Sequence, residues 1–312
     1  MRILVTGSIA YDTIMVFPDR FRNHLLADQL HILNVCFLTP EMRREYGGTA
    51  GNIAYNLRLL GEEPLLMATV GEDIEPYLGR LATLGIPARL LKRIPGQFTA
   101  QAFITTDLDD NQITAFHPGA MNHSHENHVT AELGAGLAII GPDGKEGMLQ
   151  HARECAAHGI PFLFDPGQGL PMFARDELEE MVRLADYLAV NDYEGRMLEE
   201  KTGRKLEALA QELKALVVTL GAQGSLVLAG GARHEIPCVK AERLTDPTGC
   251  GDAYRAGLLY GIARGWDWPS TGSLASVMGA LKIAHRGAQN HRAGREEIEA
   301  RYREAFGASP WN

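Results

Sequence analysis

The chain has 312 residues, 45% of them hydrophobic and 22% charged, enough to bury a core as one large α/β domain or two smaller ones. Thirty Lys and Arg against 39 Asp and Glu leave a net charge of −9, which argues against a nucleic-acid partner and leaves any bound polyanion to local positive features. No apolar run approaches the length of a membrane span, and the four cysteines, at 36, 155, 238 and 250, show neither metal nor disulfide spacing, so reduced thiols in a cytoplasm are expected.

Residues 2–6 read as a strand entering a turn at Gly7-Ser8, without the apolar core and cleavage site of a secretion signal. Short runs rich in Val, Ile and Leu recur at 65–70, 137–140, 161–164, 187–190 and 216–220, each bounded by Gly, Pro or Asp. Helical periodicity occupies 50–60, 75–84, 146–158, 176–185 and 192–201, then 252–264, 270–285 and 295–305. Strands that are apolar throughout are buried on both faces, which predicts a mostly parallel sheet between helix layers. Two stretches break this rhythm, 12–46 and 98–117. They alternate polar and apolar residues, as in Thr99-Ala100-Gln101-Ala102-Phe103-Ile104-Thr105, the mark of half-exposed antiparallel strands. The polar run Asp107-Leu108-Asp109-Asp110-Asn111 predicts a hairpin turn. Both stretches read as a small β lid over the C-terminal edge of the main sheet, within a single domain spanning 1–312.

The chemistry concentrates in Asp246-Pro247-Thr248-Gly249-Cys250-Gly251-Asp252, which runs straight into an apolar helical segment. Bare backbone at a helix N-terminus presents free N–H groups and the positive end of the dipole, which suits an anion. A carboxylate there would repel the anion, but Asp252 is suited to take a proton from a hydroxyl attacking phosphorus beside it. By itself the stretch reads more readily as a helix cap. A second motif, Gly47-Gly48-Thr49-Ala50-Gly51-Asn52-Ile53-Ala54, changes that balance. Gly47 and Gly48 allow close backbone approach, and Asn52 both donates and accepts, as a pair of ribose hydroxyls requires.

Together the two segments resemble both signatures of the ribokinase, or PfkB, family of carbohydrate and nucleoside kinases. They stand in the family order and at the family distance, and the resemblance spans nearly the whole chain. One position departs: Cys250 stands where the family has Ala, Gly or Ser, a small side chain that leaves its own N–H free. The resemblance implies a ribokinase-like three-layer α/β fold with a small β-sheet lid. It also implies in-line transfer from ATP, with Asp252 as general base and the N–H groups of Gly249, Cys250 and Gly251 as anion hole. In the family a carboxylate at Asp12 binds sugar hydroxyls, although a turn Asp is an equal reading of that position. Asn191 and Glu194, in Asn191-Asp192-Tyr193-Glu194, resemble the motif that orders Mg²⁺ through water near the phosphates. An acidic helix start is the plain alternative. Thr219, Gly221 and Gly224 match the turn used against ATP. Many relatives need a monovalent cation such as K⁺, for which Asp246 is a candidate ligand.

The acceptor reading rests on apolar and aromatic lid residues. Phe103 and Phe116 offer faces on which a purine stacks, and neither signature holds a basic residue to receive a sugar phosphate. Gly287-Ala288-Gln289 and the Gly47–Asn52 segment are similar to those of bacterial adenosine kinases, so adenosine is the first expected acceptor and a ribokinase- or fructokinase-like sugar kinase the alternative. A non-catalytic sensor on the same fold is a third reading. Gly7-Ser8-Ile9-Ala10-Tyr11-Asp12 lacks G-x-G-x-x-G, which argues against a dinucleotide-dependent redox enzyme. The partners expected are ATP and a small nucleoside or sugar, without nucleic acid or membrane, in a monomer or a homodimer paired through the lid. His117, His123, His125 and His128 read as a solvated loop rather than a metal site.

Overall fold

A computed structural model describes residues 1–25, 34–109 and 111–311. The chain enters through β1 (Ile3–Thr6) and crosses into the lid with β2 (Ala10–Val16) and β3 (Glu41–Gly47). It returns through α1 (Thr49–Leu59), β4 (Leu65–Val70), α2 (Glu75–Leu84) and β5 (Leu90–Arg93), then completes the lid with β6 (Ala100–Thr106) and β7 (Gln112–His117). Strand and helix next alternate: β8 (Leu137–Ile140), α3 (Lys145–Ala157), β9 (Phe162–Phe164), α4 (Arg175–Leu184), β10 (Tyr187–Asn191), α5 (Asp192–Thr202), the single turn α6 (Leu206–Leu209) and β11 (Ala215–Thr219). A hairpin of β12 (Ser225–Ala229) and β13 (Ala232–Ile236) precedes α7 (Cys250–Ala263), α8 (Trp268–Ile283) and α9 (Arg295–Phe306).

The main sheet has nine strands in the order β13-β12-β11-β10-β9-β8-β1-β4-β5. From β11 through β5 every neighbouring pair is parallel; β12 and β13 join antiparallel. The layers follow from alternation on strands buried throughout. Ile3 and Val5 of β1 pack with Ile53, Tyr77 and Leu258 on one side, while Leu4 packs with Met148, Leu178 and Leu198 on the other. The sheet is therefore covered by α1, α2, α7 and α8 on one face and by α3, α4 and α5 on the other. This is the expected ribokinase-like arrangement. Chain order reverses at β1, which has β4 on one side and β8 on the other; ligands of open α/β sheets bind at the strand C-termini beside such a point.

Sequence periodicity did not mark β5, β12, β13 or α6. The β12–β13 turn, Gly230-Gly231, has both φ angles positive (56° and 77°), as tight two-residue hairpins require.

The lid is a separate four-stranded sheet, β3-β2-β6-β7. The expectation of antiparallel pairing is corrected at its centre: β2 and β6 are parallel, and only β2–β3 and β6–β7 are antiparallel hairpins. Alternation reports that one face is exposed and carries no information on strand direction. Residues 26–33 of the expected lid and Asp110 of the hairpin turn lie outside the described residues. No helix among the described residues is long and apolar enough to cross a membrane.

Candidate active site

The Asp246–Asp252 turn ends where α7 begins. Gly249 is the N-cap residue in the left-handed region (φ 79°), and Cys250, Gly251 and Asp252 form the first helical turn. Residues Ala253–Gly261 of α7 are all buried, which explains their apolar character apart from Arg255. Inside the turn, Cys250 N–H donates to Pro247 O at 3.1 Å and Ala253 N–H to Gly249 O at 3.0 Å. The N–H groups of Gly251 and Asp252 have no partner among the described residues. Of the three expected donors only Cys250 is engaged, its N–H spent on closing the turn; the N–H of Gly249 also has no partner among the described residues, and Asp252 adds a further unpaired N–H. Its thiol is pushed up to about 11 by burial and stays protonated near neutrality.

The second motif meets this turn directly. Gly48 (φ 84°) is the N-cap of α1, and a Cβ there would lie 2.5 Å from Ala10 N and Ser8 O. This close passage brings α1 in so that Asn52 Nδ2 donates to Asp252 Oδ2 at 2.8 Å across 200 residues of sequence. Gln289 Nε2 donates to Asn52 Oδ1 at 3.0 Å and to the Tyr77 hydroxyl at 2.7 Å, and that hydroxyl donates to Gly47 O at 2.8 Å. One chain of hydrogen bonds therefore runs from the lid strand to Asp252. Burial pushes the Asp252 carboxyl up to about 7; the Asn52 hydrogen bond and Arg255 pull it down, and Asp165 and Asp12 push it up.

Asp12 sits in the lid strand β2, opposite Glu45 on β3 and Ala102 on β6. Its Oδ2 occupies the space where a Gly47 Cβ would stand, at 2.5 Å. Burial, Glu45 and Asp246 raise its carboxyl to about 6. Strand register separates the two aromatic candidates. Ala102 pairs with Phe116, which puts Phe116 on the Asp12 face. Phe103 pairs with Thr13 and Ala115 on the opposite face, shared with exposed Met42 and Ile113. As a contact for an acceptor held by Asp12, Phe103 is corrected: one step along a strand reverses the face.

On the other side of Asp252, Asn191 and Glu194 form a capping box. Glu194 N–H donates to Asn191 Oδ1 at 2.7 Å, and Asn191 N–H to Glu194 Oε2 at 2.8 Å. The helix-start reading therefore holds for both residues, and the second oxygen of Glu194 has no hydrogen-bond partner among the described residues. Glu194 is pushed up by burial and by Asp165, which itself grips Arg255 through two bonds of 3.0 and 3.1 Å. An oxygen-only donor set with one unused carboxylate oxygen fits an outer-shell role toward Mg²⁺. Thr219 ends β11 and donates to Val190 O at 3.5 Å. Gly224 is bare because the Ile236 carbonyl passes against it, whereas nothing lies within 4 Å of a Gly221 Cβ. His123, His125 and His128 pair with Glu126, Glu146 and Glu154 respectively, and no cluster among the described residues has the make-up of a metal site. All four cysteines are free.

The sequence profile described as pfkB family carbohydrate kinase matches residues 11–293, which include every element of this site. The chain belongs to the PfkB family. Among similar proteins, this PfkB kinase is 31% identical over 260 residues to a nucleoside kinase of Methanocaldococcus jannaschii, covering 83% of this chain and 85% of that one. The structure of the Burkholderia thailandensis nucleoside kinase in complex with inosine is 51% identical, superposes with a TM-score of 0.90 and is covered in full on both sides. The complex of that enzyme with ADP-inosine gives 52% identity and a TM-score of 0.88, over 99% of this chain and 97% of that one. The reading as a kinase of nucleosides or sugars stands on these likenesses.

Several residues of the PfkB site carried no motif. Tyr77 lies in α2 and is fully buried among apolar residues. Glu45 shares the Asp12 row and accepts from Asn290 Nδ2 at 2.7 Å. Arg255 follows Asp252 by three residues, yet its partner Asp165 is 90 residues away. Gln289 alone had a signal, through the Gly287-Ala288-Gln289 segment.

Proposed function

We propose that this protein is an ATP-dependent nucleoside kinase that phosphorylates the 5′-hydroxyl of purine ribonucleosides, adenosine first, with inosine in the same class. The observation that carries the reading is the Asn52–Asp252 hydrogen bond, which joins a lid-side turn and a helix N-terminus into one site. Asp252 takes the proton of the attacking hydroxyl as its oxygen bonds the γ-phosphorus and the bond to the β-phosphate oxygen breaks to release ADP, and a carboxyl near 7 is matched to that task. The N–H groups of Gly251 and Asp252 face the transferring phosphoryl group as charge develops on it. Asp12 holds the ribose hydroxyls, and Phe116 offers a face to the base. Glu194 would hold Mg²⁺ through water, and the ion would supply charge neutralisation for the phosphates. Lid closure keeps water from the phosphoryl group. The inosine-bound relative supports a purine acceptor.

The test is ADP release with Mg·ATP and a panel of adenosine, inosine, free ribose, fructose and fructose phosphates. A stacked base is worth about 1–3 kcal/mol, so a purine nucleoside should exceed ribose by at least about tenfold in kcat/KM. Faster turnover of any sugar or sugar phosphate sinks the nucleoside reading and leaves the kinase standing.

A further inference from the structure

Lys282 lies in the last turn of α8, fully buried. A lysine inside a core keeps its charge only where oxygen atoms surround the ammonium. Here Nζ donates to Asp246 O at 2.7 Å and to His285 O at 3.0 Å. The first carbonyl opens the Asp246–Asp252 turn; the second opens the loop that carries Gly287 and Gln289. The two segments are stitched elsewhere as well. Gly287 N–H donates to Asp246 Oδ2 at 2.8 Å, and Thr248 N–H to Asp246 Oδ1 at 2.9 Å. Together these bonds hold the Asp246 carboxyl below the usual carboxylate range against the burial that pushes it up. The Asp246 carboxylate is therefore engaged by backbone N–H groups, and the Asp246 and His285 carbonyls by an ammonium. A K⁺ bound through these atoms would have to displace the ammonium.

We propose that the Lys282 ammonium is a built-in monovalent cation: it takes the carbonyl oxygens of Asp246 and His285, locks the anion-binding turn to the Gln289 loop, and makes the protein independent of K⁺. The inference rests on the reading of that turn as the phosphoryl site. Burial lowers the affinity of Nζ for its proton, and near neutrality the Asp246 carboxylate opposes that fall. The position at the C-terminal end of α8 adds the negative end of a helix dipole to the same side of the balance. Lys282 touches no reacting atom; it is a positioning residue.

The experiment compares wild type and Lys282→Met in tetramethylammonium buffer with and without KCl or NH₄Cl. Wild type should change by less than about twofold in kcat. Lys282→Met should lose about tenfold or more in kcat with the nucleoside KM within about threefold, and NH₄⁺ or K⁺ should restore part of that loss. In parallel, either ion should raise the Tm of Lys282→Met, because it binds the emptied carbonyls of the folded state, and should leave wild type unmoved. Strong activation of wild type by K⁺ overturns the proposal. So does a Lys282→Met protein that keeps its kcat, or one that loses it without ion rescue or thermal shift, the signature of a purely structural lysine. Where Lys282→Met fails to fold, the wild-type arm decides: ion independence supports the proposal and activation overturns it. Absence of phosphoryl transfer to every acceptor sinks the kinase mechanism instead, and the thermal-shift arm still reports whether a cation binds.

Discussion

Asp252 carries the charge that the site has most trouble keeping. Its carboxyl is pushed up to about 7 chiefly by burial, so near neutrality only about half of the protein holds a competent base. The acceptor kcat/KM should therefore rise with pH through about 7 and level off above, with Asp12, near 6, steepening the lower part of the limb. Asp252→Asn should lower kcat by about 10²–10⁴ while nucleotide binding persists, and should erase the limb near neutrality; a variant within tenfold of wild type removes Asp252 from the role of base. The same shift has a stability sign. An acid whose folded pKa lies above its unfolded value binds its proton more tightly in the folded state, so stability falls as pH climbs from about 4 to about 7, and the cost is complete above. Asp252→Asn should accordingly melt higher than wild type at about pH 8 and level with it at about pH 4, as scanning calorimetry would show.

At the scale of elements, the site depends on two backbones passing without side chains between them. Gly48 and Gly61 share a positive φ, 84° and 86°, but only Gly48 is also crowded, by Ser8 O and Ala10 N. Gly61→Ala should cost about 1–2 kcal/mol from left-handed strain alone. Gly48→Ala should cost clearly more, with the excess in the Asn52–Asp252 bond, read by urea denaturation together with kcat; equal costs contradict the close packing of β2 and α1. The lid gives a second contrast. Phe116→Ala should raise the KM for adenosine or inosine, consistent with loss of about 1–3 kcal/mol of stacking, while Phe103→Ala should leave it unchanged because its row faces away. An effect confined to Phe103 would reverse the assignment of the lid faces.

Across the whole molecule, the site is held by contacts between elements far apart in the chain. The buried Asp165–Arg255 pair ties the C-terminal end of β9 to α7, with side-chain exposures of 7% and 5%. Removing one partner of such a pair strands a charge and costs about 3–5 kcal/mol. Asp165→Asn should show that loss in urea. It should also shift the acid limb of kcat/KM to lower pH, since Asp165 pushes Asp252 up while Arg255 pulls it down. A destabilised variant with an unmoved limb would confine the pair to a structural role.

The Gly47–Asn52 and Gly249–Asp252 turns were legible because their constraints are local. A bare backbone, a helix start and a carboxylate lie within a few residues and announce themselves by spacing. The parallel core was legible for a related reason: strands buried on both faces are apolar throughout. Partner choice is another matter. Cys250 reads as an anion-hole donor until its N–H is seen closing on Pro247. Phe103 and Phe116 read alike until register assigns them to opposite faces. Tyr77 and Lys282 carry no motif, and their roles show only where Gln289 and the carbonyls of Asp246 and His285 lie beside them. A turn is set by the steric limits of its own residues, whereas a buried hydrogen bond such as Gln289–Asn52 is set by packing between segments 237 residues apart. That distance is the reason the sequence located the two halves of the site and only the folded chain decided which atoms meet.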